Sequence, residues 1–434
     1  MGKGLNLTSL RPHTALAQLA GMAACLPPLV FPSRFPAWVT WGSLVGLLLI
    51  FGAGYLLVGR LIVRTPLDVP ILLLLLLMPV TLVVTPDRAL TLLHVSKVIG
   101  GVALFYGVVG LLEEKSWFGL TALTISAVGL GLAVLILFGT RWSTAKLSWL
   151  SFDLYQFLPG RIRPFWKPEG LNSNVAGGTL AMLLPVPVAY LLFGHRRGIR
   201  LGALLTVGTV SLVLLLTQSR GAISALLAGA AVMLAVHGRR WLLLGACLVV
   251  AGVVVFQSVA DSNPGEADLY GATQSVVHSA QGRMELWSRG LMMLQDFPFT
   301  GIGLGMVVEV MPLLYPTFVI PNDARIEHVH NLYLEAGVDL GFPGLIVTLG
   351  FLLALLYFAW QAARCARGKD LEPMALAMLG TVVAYAAQGL IDDLAFSSRA
   401  RPIVWALFGV VVAVGLQLFR DEGRAVVRAA SRET

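Results

Sequence analysis

The sharpest chemical candidate in this chain is a histidine. His330 lies in Glu327-His328-Val329-His330-Asn331-Leu332-Tyr333-Leu334-Glu335, just ahead of a long apolar run. A neutral imidazole at such a boundary can take a proton from a hydroxyl. Asn331 beside it could orient a sugar or a phosphate oxygen. The same local sequence suits a surface or capping histidine equally well. The alternation His328-Val329-His330 also suits a metal, but spacing fixes no third ligand. Two arginines come next. Arg220 sits in Thr217-Gln218-Ser219-Arg220-Gly221, a polar break between apolar runs, and Arg283 opens a piece of helical periodicity. A guanidinium stays charged and presents a planar fork of donors, which fits a phosphate or pyrophosphate. The plainer alternatives are a hairpin charge facing lipid headgroups for Arg220 and a salt bridge to Glu285 or another loop acid for Arg283.

Three further features are weaker. Lys97 and His94 are three apart and share a helix face. An ionisable group inside an apolar run is a functional candidate, unless the lysine reaches back to the interface. The pair Asp392-Asp393 could hold a divalent cation or simply pair with Arg399 or Arg401. Gly301-Ile302-Gly303-Leu304-Gly305 follows no predicted strand, so a dinucleotide fingerprint is unsupported. A turn or a close backbone packing explains those glycines better.

The elements that must hold these residues follow from composition. The chain has 434 residues, of which 57% are hydrophobic and only 12% charged, with a net charge of +8. Its mean hydropathy is +0.81. A soluble domain is about 25% charged, so this much apolar surface must face lipid. That excludes a cytosolic enzyme, a disordered chain and a disulfide scaffold. The three cysteines, Cys25, Cys247 and Cys365, form no paired framework and no metal spacing.

A helix needs about 20 apolar residues to cross the hydrocarbon. Twelve such runs lie near 13–31, 37–58, 67–85, 89–112, 117–138, 173–193, 201–217, 221–237, 241–260, 338–362, 373–391 and 402–419. Unpaired strands have no partner in lipid, and the runs lack the alternation of barrel strands. The expected fold is an all-α polytopic membrane bundle of about 12 helices, a single integral domain over 1–434. With the N-terminus in the cytoplasm, 17 Lys/Arg fall in inside segments and 5 in short outside loops. That bias expects both termini inside. The basic surplus is therefore topological, and nucleic acid is not an expected partner. Lys3 and Arg11 ahead of the first run also resemble a signal start; its retention is the expectation.

Two outside loops break the pattern. Residues 139–172 are net basic, with Arg161, Arg163 and Lys167 the candidates for a phosphorylated acceptor. Residues 261–337 are net acidic and too long to be structureless. Gly282 to Leu294 has helical spacing, and Pro298 stops it.

Taken in order, five pieces carry a resemblance to the bacterial O-antigen ligase family. They are Asn172-Ser173-Asn174 with Ala176-Gly177, then Ser219-Arg220-Gly221, then Gly282-Arg283 with Trp287. Pro298 with Gly301-Ile302-Gly303 follows, and last His330-Asn331 with Leu334-Glu335 and Gly341-Phe342-Pro343-Gly344. Ser173 departs from the proline that the family often places between the two asparagines. The resemblance implies a GT-C-like membrane glycosyltransferase of the bacterial inner membrane with a periplasmic active site and no cofactor or metal. It implies transfer of a glycan from undecaprenyl pyrophosphate to a sugar of the lipid A–core, with inversion. By position, Arg220, Arg283 and His330 match the family's essential arginines and histidine. Lys97 and Asn331 would help hold the pyrophosphate. An O-antigen polymerase or a protein O-oligosaccharyltransferase would use the same donor. A lipid-linked sugar transporter is the competing class, although no internal repeat is seen.

Overall fold

The computed structural model describes residues 35–58, 63–113, 117–140, 171–257, 280–321, 324–394 and 400–433, with Cys25, Pro27 and Pro28. Among the described residues the chain is helical, with no strand. The apolar runs become α1 (Ala37–Val58), α2 (Asp68–Val84), α3 (Arg88–Leu111) and α4 (Trp117–Gly139). After them come α5 (Ser173–Leu183) and α6 (Pro185–Phe193), nearly one span, then α7 (Arg197–Leu216), α8 (Arg220–His237) and α9 (Leu242–Gln257). The outside segment supplies α10 (Ala280–Asp296) and α11 (Val307–Leu314). The last three helices are α12 (Leu332–Cys365), α13 (Glu372–Gln388) and α14 (Arg401–Glu433).

The expectation of about 12 spans is only partly met. Seven helices among the described residues are long and apolar enough to cross a membrane; Asp68–Val84 and Leu242–Val255 are apolar but shorter. Helices α1 and α13 also coincide with expected spans. Apart from Cys25, Pro27 and Pro28, the first run, 13–31, lies outside the described residues. So does most of the basic loop, including Arg161, Arg163 and Lys167.

Helix α13 is the hub, packed by α5, α6, α8, α12 and α14. It is buried along almost its whole length, from Pro373 through Val382 to Gln388. Small residues let its neighbours approach: the backbones of Gly229 on α8 and Gly380 on α13 touch, as membrane helices do where small residues meet. On α3, Gly101 lies under the Trp405 ring of α14. Outer helices show the opposite pattern. Helix α2 buries Ile71, Leu74 and Met78 and exposes Leu72, Leu76 and Val83, the face a lipid solvent would cover.

Helices in alternation create two ends. At one, Arg420 meets Glu113, His237 meets Glu372 and Lys369 meets Glu422. These are sites the charge count assigned to inside loops. The other end gathers the 85–91 turn, the 139–172 boundary, the 217–220 turn, α10, α11 and the segments around 330 and 392. There Leu171 N–H donates to Gly139 O, and Leu304 N–H donates to Thr81 Oγ1.

The predicted helix in the 261–337 loop is α10, and Pro298 follows its end. The turn after it needs its glycines. Gly301 has a φ of +66° and its Cα lies against the backbone of Asp339; Gly305, at +77°, faces the His94 ring. Ile302 N–H and Gly303 N–H donate to the carbonyls of Val338 and Asp339. The glycine run is thus a tight turn stitched onto α12, as its sequence suggested.

Candidate functional site

Helix α12 begins where the chemistry does. Asn331 is its N-cap: its Oδ1 accepts from Tyr333 N and Leu334 N, both at 3.0 Å, and its Nδ2 donates to Leu390 O at 3.2 Å. Both ends of the amide are therefore engaged, but Nδ2 carries a second hydrogen, so a contact with a substrate need not break either bond. The residue before it, His330, is buried and sits at φ +53°, a left-handed conformation uncommon outside glycine. Neighbours hold it there. Val329 N–H donates to Glu335 Oε2 at 2.7 Å, and Leu332 N–H donates to Gly389 O at 2.7 Å. Such strain at a polar, buried position is a mark of functional sites.

The partner of His330 is Asp392, which is 1% exposed. Its Oδ1 lies 3.3 Å from His330 Nδ1 and 3.1 Å from His328 Nε2, and accepts from Asp393 N at 3.0 Å. Burial alone would push the Asp392 carboxyl up, but the hydrogen bonds from the two histidines outweigh it and hold the group well below the usual carboxylate range. Burial likewise works against a charged His328, and Asp392 overrides it, raising the imidazole to about 9. With Asp392 on Nδ1 of His330, Nε2 is the ring nitrogen that would serve as a base. The two rings lie 4.1 Å apart, centroid to centroid.

Arg283 stands on α10 with Nε buried and without a hydrogen-bond partner among the described residues; one turn on, Trp287 Nε1 is in the same condition. The sequence left Arg283 between a ligand role and a bridge to Glu285 or another loop acid. Glu285 instead accepts from the backbone N–H groups of Phe318, Val319 and Ile320 and lies 4.0 Å from Arg289. Burial pushes the Arg283 guanidinium down, and the charge of Asp392 pulls it back up. Arg283 is therefore within electrostatic reach of Asp392 and, among the described residues, keeps an unbonded Nε.

Arg220 is the first residue of α8. Its neighbour Gly221 lies against Ile391 and Gln388, and Gly177 lies against Thr217 and Ser219. The turn carrying Arg220 is thereby wedged between α5 and the residues leading to Asp392. Lys97, on α3, is within electrostatic reach of Arg401 and Glu327. Arg401 in turn faces Asp393. The acid pair thus divides, Asp392 to the histidines and Asp393 toward Arg401.

Sequence reasoning named Asp392 but did not connect it with His330. It named Glu335 only as a motif residue and passed over Asp339; the two are buried carboxylates one helical turn apart on α12. Asp339 Oδ1 accepts from Gly305 N at 3.1 Å. Their spacing of four inside an apolar segment was the available signal. The metal alternative also changes. His328, His330 and Asp392 bring three ligand atoms within 4.8 Å of one another, so Asp392 is the third ligand that spacing could not name. A nitrogen–nitrogen–oxygen set suits zinc or a similar transition ion, but Arg283 and a proton on His328 both oppose a cation there.

Fold and site together define a polytopic helical membrane protein with a histidine–aspartate group and a buried arginine at one end. Residues 205–349 match the model of a family described as O-antigen ligase. Over that stretch, about a third of the chain, the sequence is similar to that family. The matched stretch includes Arg220, Arg283, His330 and Glu335, but ends before Asp392. No curated protein matches the chain.

Proposed function

We propose that the protein is an O-antigen ligase. It transfers a glycan from undecaprenyl pyrophosphate to a lipid A–core sugar at the periplasmic face of the inner membrane, with both termini in the cytoplasm. The observation that carries this reading is the buried His330–Asp392 pair beside Arg283 and its orphan donor.

The chemistry runs as one displacement. The acceptor hydroxyl oxygen attacks the anomeric carbon while the bond from that carbon to the pyrophosphate oxygen breaks. The hydroxyl proton passes to His330 Nε2, and the lipid pyrophosphate leaves with the bonding electrons. An acceptor hydroxyl is a weak nucleophile and gains from a base, worth about 10²–10⁴ in rate. Charge grows on the leaving pyrophosphate, and preplaced guanidiniums stabilise it in a site that excludes water. Arg283 and Arg220 take that role, with Lys97 at the margin. Asp392 positions His330. Direct attack inverts the anomeric centre. Arg161, Arg163 and Lys167 in the basic loop are proposed to meet phosphorylated core sugars.

The test is reconstitution with a lipid-pyrophosphate glycan and a lipid A–core acceptor, without nucleotide. Covalent transfer that His330→Ala and Arg283→Ala each lower at least ~100-fold, in protein still folded in the membrane, supports the ligase. Near-normal transfer by either variant removes its assigned role, and movement of the glycan without transfer favours a transporter. Products that lengthen on the donor alone favour a polymerase. The His328, His330 and Asp392 grouping favours a second reading, a metal-assisted transferase. Activity that EDTA stops and a metal restores would replace the first reading with the second.

A further inference from the structure

The segment between α10 and α12 exposes large apolar side chains where a water-facing loop would not. Phe318 is 84% exposed, Leu313 78%, Phe299 77% and Leu314 63%. A soluble surface rarely gathers such residues without a partner. Their position says what the partner is.

Helix α12 changes direction at Gly341, whose φ and ψ are 71° and −171°. Before that kink the helix is buried; after it, Phe342, Ile346, Leu353 and Tyr357 are exposed at helical spacing. Residues 342–365 are about 36 Å of helix at about 1.5 Å per residue, enough for the hydrocarbon thickness of about 30 Å. Phe342 is therefore where α12 enters the bilayer. Its N–H donates to Pro298 O at 2.7 Å, and Gly341 lies against Phe299 and Thr300. Phe299 is thus fixed at the height of the membrane boundary. The rest follows by contact. Tyr315 Oη donates to Asp296 Oδ2 at 2.5 Å and carries Leu313 and Leu314 to the C-terminal end of α10. The Phe318 ring stacks on Arg289, whose guanidinium reaches Met292 on the same helix. Through Phe299, which lies against Gly341 beside the exposed Phe342, the lipid-facing stripe of α12 adjoins this region.

We infer that the α10–α11 region is embedded in the bilayer interface, with Phe299, Leu313, Leu314 and Phe318 inserted among the lipids of the leaflet next to the candidate site. The partner is lipid, because the patch adjoins a lipid-facing surface. Insertion fixes the height of α10, and with it Arg283, relative to a lipid-anchored substrate. The inference depends on α12 spanning the membrane and not on the reaction.

The test is depth measurement on the full chain in nanodiscs of phosphatidylethanolamine and phosphatidylglycerol. Nitroxide labels go on Phe299→Cys, Leu313→Cys or Phe318→Cys in a background with the three native cysteines replaced by serine. Arg325→Cys, at an exposed site, is the water reference. Labels at 299, 313 and 318 should collide more with oxygen than with a water-soluble nickel chelate, with the ratio reversed at 325. Equal nickel access at 313, 318 and 325 overturns the inference. So does shielding from both reagents at these sites, which would mean that protein, such as a second copy of the chain, covers the patch. Each label replaces an exposed side chain, so folding is not at stake, and agreement among three positions guards against a local artefact.

Discussion

Replacing Asp392 with asparagine tests the core of the site without relying on any assay of transfer. Asp392 raises His328 to about 9, against about 6.5 for a free imidazole. A raised folded value means stability that is fully present below about pH 6.5, where both states hold the proton. Between about 6.5 and 9 the unfolded chain releases it and the folded chain does not. Stability therefore falls as pH rises, by at most ~1.4 kcal/mol per unit, and the contribution is gone above about 9. The difference between about 6.5 and about 9 amounts to ~3 kcal/mol. Asp392 is the same interaction seen from the acid side: its depressed carboxyl loses stability only as pH falls below about 4, and the two are not added. In Asp392→Asn the acceptor charge is gone, burial prevails, and His328 releases its proton well below 9. The thermal midpoint in detergent, measured from pH 6 to 9.5, should fall steadily for the wild-type chain and lie flat and lower for the variant. His328→Gln should flatten it similarly. Glu335, Asp393 and Arg283 face the same group, so a variant that kept the full wild-type slope would assign the titration to one of them and refute the reasoning.

Glu285→Ala removes the acceptor of three backbone N–H groups at 318–320 and should cost at least ~2 kcal/mol locally, seen as faster tryptic cleavage at the exposed Arg325. Gly341→Ala places a methyl 2.7 Å from Pro298 O at φ 71° and should cost ~1–3 kcal/mol in backbone strain before the clash is counted; the yield of monodisperse protein reads it. Gly368→Ala has a similar φ of 70° but open space around it, so it should lose only the ~1 kcal/mol of a left-handed alanine and purify normally.

What the sequence revealed depended on how local each signal was. Hydropathy located the helices because each run buries or exposes its own side chains against a solvent of one kind. The α10 helix and the 301–305 turn were legible for the same reason: helical spacing and glycine act within a few residues. The crossing count was not, because Asp68–Val84 and Glu372–Gln388 are 17 residues each, where length alone does not decide. The role of Asp392 was not either. It lies 62 residues from His330, across two helices and a turn, and no periodicity connects the two. Spacing offered Arg283 the nearest acid, Glu285; the fold spent that acid on the 318–320 backbone instead.

The motif pieces nevertheless share one property that sequence can read. Gly177, Arg220, Arg283, Gly301 and His330 all fall at helix ends or in breaks on the same side of the alternation of spans. Alternation sorts loops into two groups and delivers every member of one group to one end of the bundle, whatever the packing. Packing then pairs them within that end. Gly177 and Gly221 press the Arg220 turn between α5 and Ile391, and Glu335 locks Val329 so that His330 turns its Nδ1 to Asp392. The first step needs only hydropathy and charge; the second needs close backbone approach, which the glycines permit. A larger residue at Gly177 or Gly221 therefore should leave the spans intact and separate Arg220 from the histidine. Gly221→Val should insert in the membrane normally yet transfer glycan no better than Arg220→Ala, and a Gly221→Val protein with wild-type transfer would show that the approach of these elements has no bearing on the site.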